Sequence, residues 1–205
     1  MGLPRSADAP AQPAPSLKLN SSWVDPRKVY GMTRVGPQAL VGAGCDIRFP
    51  DLVVMRGWSR IDSQSYVSVG LEMEDRTVVC PGAKVIGGAS RLVTLRRWSF
   101  IGWNCLVMAR SEDYEGLIGV GFGAPGPAVE GDITFEPFSG LGSMSSCFPG
   151  VTFPEGAVVG AHSMVHSSAD LQPWYVHRGV PARPWKRRDR DRILEEAALA
   201  ERAVR

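Results

Sequence analysis

The sequence predicts an all-β fold, a β-helix built from hexapeptide repeats, and two runs of apolar residues at a spacing of six predict it. A spacing of six fits neither the 3.6-residue period of a helix nor the two-residue period of a half-buried strand. It fits a chain that turns a corner every six residues and buries one bulky side chain at each step. The longer run is Phe135, Leu141, Cys147, Phe153, Val159 and Val165, and the shorter run is Val35, Val41, Ile47 and Val53.

The residues between these apolar positions favour the same interpretation. Small or β-branched residues stand two positions before each member of the longer run: Ile133, Ser139, Ser145, Val151, Ala157 and Ser163. Glycine-containing corners lie at 148–151 and 155–157. A Val- and Gly-rich chain could produce one such run by chance, but two separated runs favour a true repeat.

Composition bounds the possible functions. The net charge of +2 is too small to argue for nucleic acid, and acids interrupt the arginine-rich run at 186–192. The chain has no secretory apolar segment and no long apolar run, so we expect a cytoplasmic protein that does not contact a membrane. Its four cysteines lack a CxxC pair, which favours free buried thiols over disulfides or a metal site.

The chain divides into three parts along its length. Residues 1–18 are rich in Pro and Ala, and we expect a disordered or loosely attached tail. Residues 19–185 form the predicted β-helix domain, and its hexad phase breaks at 111–132, a Gly-rich segment predicted as an extruded loop of functional importance. Residues 186–205 predict a short amphipathic helix that packs against the end of the coil or a neighbouring copy, with Ile193, Ala197, Ala200 and Val204 on one face.

Three segments resemble the left-handed β-helix (hexapeptide-repeat) acyltransferase family. They are FPGVTFPEGAVVGAHS at 148–163, LQPW at 171–174 and GVPARP at 179–184. Within that family the branch that acetylates sugars and amino sugars is the most similar, because SEDYEG at 111–116 looks like a motif of that branch. The resemblance covers about residues 35–190.

The resemblance implies a left-handed parallel prism that assembles as a homotrimer, with grooves for acetyl-CoA between its subunits. It implies transfer of an acyl group, most simply acetyl, from coenzyme A to a hydroxyl or amine of a sugar or small biosynthetic intermediate. The residues that match the donor-binding positions are Gly142, Ser143, Ala161, His166 and Ser167, with Arg183 and Lys186 as phosphate ligands. The alternative stays open that the small residues serve packing and that the basic residues form a solvated surface.

Acyl transfer needs a base that takes the proton from the attacking group, and histidine is the usual choice. The family's histidines fall in the segment that matches residues 78–84, but this chain has Val78 and Gly82 there. The substitutes are the acidic pair Glu112 and Asp113, His162, or no protein base at all. Candidate substrate contacts are Trp103, Asn104, Ser111 and Tyr114.

Two other classes of function remain open at this stage. The missing histidine allows a different enzyme on the same prism, such as an isomerase, cyclase or lyase, which would act without an acyl donor. A non-catalytic trimeric scaffold is the other alternative. It predicts a groove filled by bulky side chains such as Met144, Phe148 or Trp103.

Overall fold

A computed structural model describes residues 23–116 and 128–203, so the predicted tail at 1–18 lies outside the described residues. Short strands follow one another along the chain and pair in parallel with strands one coil away, which confirms the predicted all-β solenoid. The strands are β1 (Trp23–Val24), β2 (Arg34–Val35), β3 (Leu40–Gly42), β4 (Asp46–Ile47), β5 (Val53–Met55), β6 (Arg60–Ile61), β7 (Tyr66–Met73), β8 (Val78–Val79), β9 (Lys84–Leu95), β10 (Phe100–Ile101), β11 (Leu106–Met108), β12 (Arg110–Glu112), β13 (Ala128–Glu130), β14 (Ile133–Phe135), β15 (Gly140–Leu141), β16 (Ser146–Cys147), β17 (Thr152–Phe153), β18 (Val158–Val159), β19 (Met164–Val165), β20 (Tyr175–Arg178) and β21 (Arg183–Arg187). The helices are α1 (Pro26–Tyr30) and α2 (Arg190–Arg202), and a 3-10 turn covers Pro50–Leu52.

These strands form the three faces of a prism. Face 1 contains β3, β6, β8, β10, β15, β18 and β20. Face 2 contains β4, β11, β16, β19 and the first halves of β7 and β9. Face 3 contains β2, β5, β14, β17 and the second halves of β7 and β9, because these two long strands continue around the corner. We call the corners edge 1–2, edge 2–3 and edge 3–1 after the faces that meet there.

Apolar side chains stack inside the prism from one coil to the next. The rings of Phe135 and Phe153 lie 4.2 Å apart between centroids at an angle of 14°. On face 1 the inward column is fully buried and consists of Val41, Ile61, Val79, Ile101, Leu141, Val159 and His177. Each buried aliphatic or aromatic side chain contributes about 1.5–3 kcal/mol, so these columns supply most of the stabilisation.

The six-residue spacing predicted for the early run Val35, Val41, Ile47 and Val53 holds only as far as Ile47. Val35 pairs with Met55, not with Val53, and Val53 pairs instead with Leu71. The 3-10 turn at Pro50–Leu52 lengthens this coil by two residues, which shifts the phase of the repeat. Val53 is still fully buried, so the apolar pattern held while the register changed.

The last coil is closed by an antiparallel hairpin of β20 and β21, and α2 follows it. Asp189 caps α2 by accepting a hydrogen bond from the backbone N–H of Arg192 at 3.1 Å. The helix lies along edge 3–1, where Glu201 pairs with Arg97 and accepts a hydrogen bond from Trp98 Nε1 at 3.2 Å. It therefore packs on the flank of the prism, not on the end of the coil. None of the described helices is long and apolar enough to cross a membrane.

Candidate functional site

A cavity of about 470 Å³ lies at edge 2–3, between a hairpin that leaves the prism and the corners of two C-terminal coils. The hairpin is formed by β12 and β13, so the root of the predicted loop at 111–132 is ordered antiparallel structure. Residues 117–127 of that loop lie outside the described residues. The cavity is lined by Ser111, Glu112, Asp113, Tyr114, Glu115, Val129, Phe148, Pro149, His166 and Ser167.

Ion pairs fix the hairpin to the body of the solenoid. Glu130 pairs with Arg110 at 3.1 Å and with Arg91 at 3.4 Å, and Asp132 accepts a hydrogen bond from the backbone N–H of Leu92 at 3.0 Å. Sequence reasoning missed Arg91 and Glu130. A signal for Arg91 was present, because ten positions rather than six separate the inward residues Val85 and Leu95, which indicates an insertion between them.

The acidic pair stands at the mouth of this cavity. Asp113 is half-buried, and its Oδ1 accepts a hydrogen bond from the backbone N–H of Glu115 at 3.0 Å. That bond closes a tight turn just beyond the outermost described pair of the hairpin, Glu112 with Ala128. Glu112 and Tyr114 are exposed beside it, with Tyr114 74% exposed. The chemistry available here is a pair of carboxylates that can accept hydrogen bonds from an amine or hydroxyl.

Two predicted donor-binding residues lie across the cavity from the acids. His166 Nδ1 lies 3.4 Å from the hydroxyl oxygens of both Ser167 and Ser168, which orient the ring. The imidazole also lies against Phe148, with ring centroids 5.9 Å apart. The structure therefore brings Ser111, Glu112, Asp113 and Tyr114 together with His166 and Ser167 around one cavity.

The other predicted residues lie along edge 1–2, on stacked corners. The backbone N–H of Trp103 donates to Ser143 Oγ at 3.3 Å, and the N–H of His162 donates to the carbonyl of Ser143 at 3.0 Å. Trp103 and Met144 are 57% and 55% exposed, so neither fills a groove within this chain. Asn104, Gly142 and Ala161 complete this set of corner residues.

Packing alone accounts for glycine at position 142. A Cβ there would lie 2.6 Å from the carbonyl oxygen of Val159 and 2.7 Å from the backbone nitrogen of Ala161, in the next coil. Gly82 is constrained differently, because its φ is +71° and a side chain would meet Asn104 Oδ1. A side chain at position 82 would therefore require the side chain of Asn104 to move, although the corner residue His162 has a similar positive φ of 54°.

Edges 1–2 and 2–3 are separated by the full width of face 2. Ala161 and His166 are five residues apart on one side of the prism, which corresponds to roughly 15 Å of extended chain. The residues predicted to bind one donor molecule thus occupy two corners of the chain. Arg183 and Lys186 lie on β21, the last strand of the face 1 sheet, where Arg183 pairs with Arg178 beside edge 1–2 and Lys186 pairs with Val176.

The thiols are unsuited to act as nucleophiles. Burial raises the pKa of Cys80 to about 11 and raises the pKa of Cys105 above its ordinary value, so both thiols are protonated at neutral pH. In the part of the chain that the structure describes, no three His, Cys, Asp or Glu residues are grouped so as to hold a metal ion.

The sequence matches no protein-family profile and no curated protein. The structure is similar to that of AntD, an N-acyltransferase from Bacillus cereus solved with dTDP and 3-hydroxybutyryl-CoA, with a TM-score of 0.80 and 24% identity over 90% of this chain and 99% of that one. A variant of AntD was solved with dTDP-4-amino-4,6-dideoxyglucose and coenzyme A. Its structure is similar to this one with a TM-score of 0.78 and 25% identity, over 88% of this chain and 97% of that one. For a hexapeptide-repeat acetyltransferase from Vibrio cholerae the TM-score is 0.47 and the identity is 18%, over 80% of this chain and 77% of that one.

Proposed function

We propose that the protein is an acyl-CoA-dependent N-acyltransferase whose acceptor is the amino group of a nucleotide-linked sugar. The observation that carries the proposal is the cavity at edge 2–3, where Asp113 and Glu112 stand opposite His166 and Ser167. The similarity to AntD over nearly the whole of both chains supports it, because AntD is an N-acyltransferase solved with coenzyme A and an amino sugar linked to dTDP. We do not carry over the acyl group of the AntD complex to this protein. We propose acetyl, the simplest acyl group.

The carboxylates favour an amine over a hydroxyl as the acceptor. A sugar amine is largely an ammonium ion at neutral pH, and Asp113 and Glu112 can bind that cation and accept its proton. The neutral amine then attacks the thioester carbonyl, a C–N bond forms, the C–S bond breaks, and the departing thiolate takes up the proton that the acylated nitrogen loses. This chemistry needs no histidine at the positions of Val78 and Gly82.

We propose further that the working unit is a homotrimer in which edge 1–2 of one copy faces edge 2–3 of the next. The predicted donor residues Gly142, Ser143 and Ala161 lie on the first edge and the acids on the second, with face 2 between them. Apolar side chains cover the outer side of face 2, where strand alternation places Ile86, Leu106, Met108 and Met164 outward. An apolar face of this kind is stabilised by packing against a copy of itself.

An acyl-transfer assay with acetyl-CoA and a dTDP-linked amino sugar, combined with calorimetry of donor binding, tests the proposal. We expect binding of coenzyme A at sub-millimolar concentration and release of free thiol only when the amino sugar is present. Absence of donor binding at millimolar concentration would contradict the proposal. Conversion of a sugar nucleotide without any donor would instead indicate an isomerase, cyclase or lyase.

A further inference from the structure

The hairpin that closes the solenoid carries an exposed tryptophan, Trp185, among positively charged side chains. We propose that Trp185, backed by Arg178, is the platform on which the adenine ring of the coenzyme A donor stacks, beside Arg183 and Lys186, the phosphate ligands that the sequence resemblance implies. This inference rests on the proposed function and names the residues that hold the nucleotide end of the donor.

A β-bulge sets the position of Trp185. In the β20–β21 hairpin Lys186 pairs with Val176 and Pro184 pairs with His177, so Trp185 is the extra residue between the two pairs. A bulge of this kind redirects a side chain out of the regular alternation of the strand. Trp185 is 55% exposed, and its indole N–H has no hydrogen-bond partner among the described residues.

Arg178 holds the indole in place from one side. Its guanidinium carbon lies 4.2 Å from the centroid of the Trp185 ring, which is a close cation–π contact. The stacked pair is a flat, preformed surface. A planar aromatic ligand can stack against such a surface at a low cost in side-chain entropy.

The charges around this pair lack acidic partners. Arg178, Arg183, Lys186 and Arg187 are all exposed, and none of them lies within ion-pair distance of a carboxylate in residues 23–116 and 128–203. Arg187 instead lies over the ring of Tyr175, 5.6 Å from its centroid. A strip of unpaired arginines beside an exposed aromatic ring matches a ligand that combines a base with several phosphates.

The location of the hairpin connects it to the predicted donor slot. Gly142, Gly160 and Arg178 occupy equivalent positions beside edge 1–2 in three successive coils. A Cβ on Gly160 would lie 3.8 Å from the Cβ of Arg178. Neighbouring coils are about 4.8 Å apart, so the Arg178–Trp185 pair lies roughly 10 Å from the coil of Gly142. A donor extended along edge 1–2 places its nucleotide on this hairpin.

A nucleoside diphosphate occurs in both substrates, since coenzyme A contains ADP and the proposed acceptor contains dTDP. The hairpin lies beside edge 1–2, with Arg178 next to Gly160, whereas the acidic cavity lies on edge 2–3, and this separation favours the donor. Binding measurements with each nucleotide separately distinguish the two sources.

The test is calorimetry on the full-length wild-type protein, Trp185→Leu, Trp185→Phe and the control Trp58→Leu. Trp58 is a comparably exposed tryptophan, at 41%, on edge 3–1. We expect Trp185→Leu to weaken binding of coenzyme A and of adenosine 3′,5′-bisphosphate about tenfold, as loss of one stacked base predicts. Trp185→Phe stays within about threefold of wild type, because phenylalanine retains a stacking surface. Pantetheine, which lacks the nucleotide, should bind wild type and Trp185→Leu equally.

Unchanged binding of coenzyme A to Trp185→Leu overturns the inference, as does an equal loss in Trp58→Leu. Weakened binding of dTDP with unchanged binding of coenzyme A also overturns it, because the platform would then serve the acceptor. Failure of the wild-type protein to bind coenzyme A overturns the proposed function itself. If the wild-type protein and Trp185→Leu bind coenzyme A equally well, the result overturns the role of Trp185 as a platform and leaves the proposed function standing. Thermal unfolding of each variant confirms that the protein measured is folded.

Discussion

The imidazole of His177 accepts a hydrogen bond from the backbone N–H of Gln172 at 2.9 Å, from a fully buried position at the end of the face 1 column. Every other member of that column is aliphatic. Since Nε2 is the acceptor, the ring is neutral and carries its proton on Nδ1. The closing coil therefore depends on the protonation state of one histidine.

Acidification should destabilise the protein through His177. Burial lowers the pKa of His177 below its ordinary value of 6.5, although Asp170 acts in the opposite direction. The unfolded chain therefore binds more protons below pH 6.5, and the stability that neutral His177 contributes is complete above pH 6.5 and falls as the pH drops towards the folded pKa. Denaturant unfolding between pH 8 and pH 5 checks this, with His177→Leu as the control. The variant should lose this part of the pH dependence, and an unchanged pH profile would show that another group is responsible.

The rings of Phe135 and Phe153 stack inside the prism on face 3, and this contact can be tested by substitution. Phe153→Ala removes a fully buried ring that stacks at 4.2 Å, and we expect a loss of about 3–5 kcal/mol in the free energy of unfolding. Phe153→Leu preserves most of the volume and should cost about 1–2 kcal/mol. Urea unfolding followed by circular dichroism measures both, and equal losses would show that packing of the ring is not the determinant.

Gly142 and Gly160 are equivalent positions in adjacent coils and form a matched pair. A Cβ at Gly142 would lie 2.6 Å from backbone, whereas at Gly160 the nearest atom would be the carbonyl oxygen of His177 at 3.5 Å. We expect Gly142→Ala to destabilise the fold by about 2 kcal/mol or more and Gly160→Ala to be within about 1 kcal/mol of wild type. Thermal unfolding of the two variants checks this. Equal stability would mean that the coils separate easily at edge 1–2 and that glycine serves the ligand.

Asp113 is expected to act in the chemical step. Asp113→Asn keeps an oxygen for the N–H of Glu115 but removes the negative charge, and kcat should fall about 10²- to 10⁴-fold while binding of the donor is unchanged. The matched control is Glu115→Gln, which removes an exposed charge from the same turn. Steady-state kinetics separate the two, and a comparable loss in Glu115→Gln would assign the effect to the charge of the turn as a whole.

The repeat was predictable because the interior of a β-helix admits one kind of pattern. Phe135, Leu141, Cys147, Phe153, Val159 and Val165 are all inward-facing and fully buried, as their spacing predicts. The shift between Ile47 and Met55 was not predictable, since the 3-10 turn at Pro50–Leu52 keeps an apolar residue at position 53. Local patterns fix which side chains are apolar, but the pairing of coils decides the register.

Which of the candidate residues lie together was not predictable from the sequence. The sequence singled out Asp113 and His166, which share a cavity, and also Ala161 and Trp103, which lie on another edge. Six-residue steps alternate among three corners, so residues that are close in sequence can face different directions. The spacing of Val85 and Leu95 indicates an insertion that contains Arg91, but it does not indicate the ion pair of Arg91 with Glu130, which is distant in sequence.

Activity of mixed oligomers tests the central claim most directly. Ala161→Trp fills the donor edge, Asp113→Asn inactivates the acidic edge, and each variant alone should be inactive. If every site combines edge 1–2 of one copy with edge 2–3 of the next, co-expression of the two variants in equal amounts restores about a quarter of the wild-type rate, because one site in four joins two intact edges. Mixed oligomers that remain as inactive as either parent would show that each chain carries a complete site of its own, and would contradict the account.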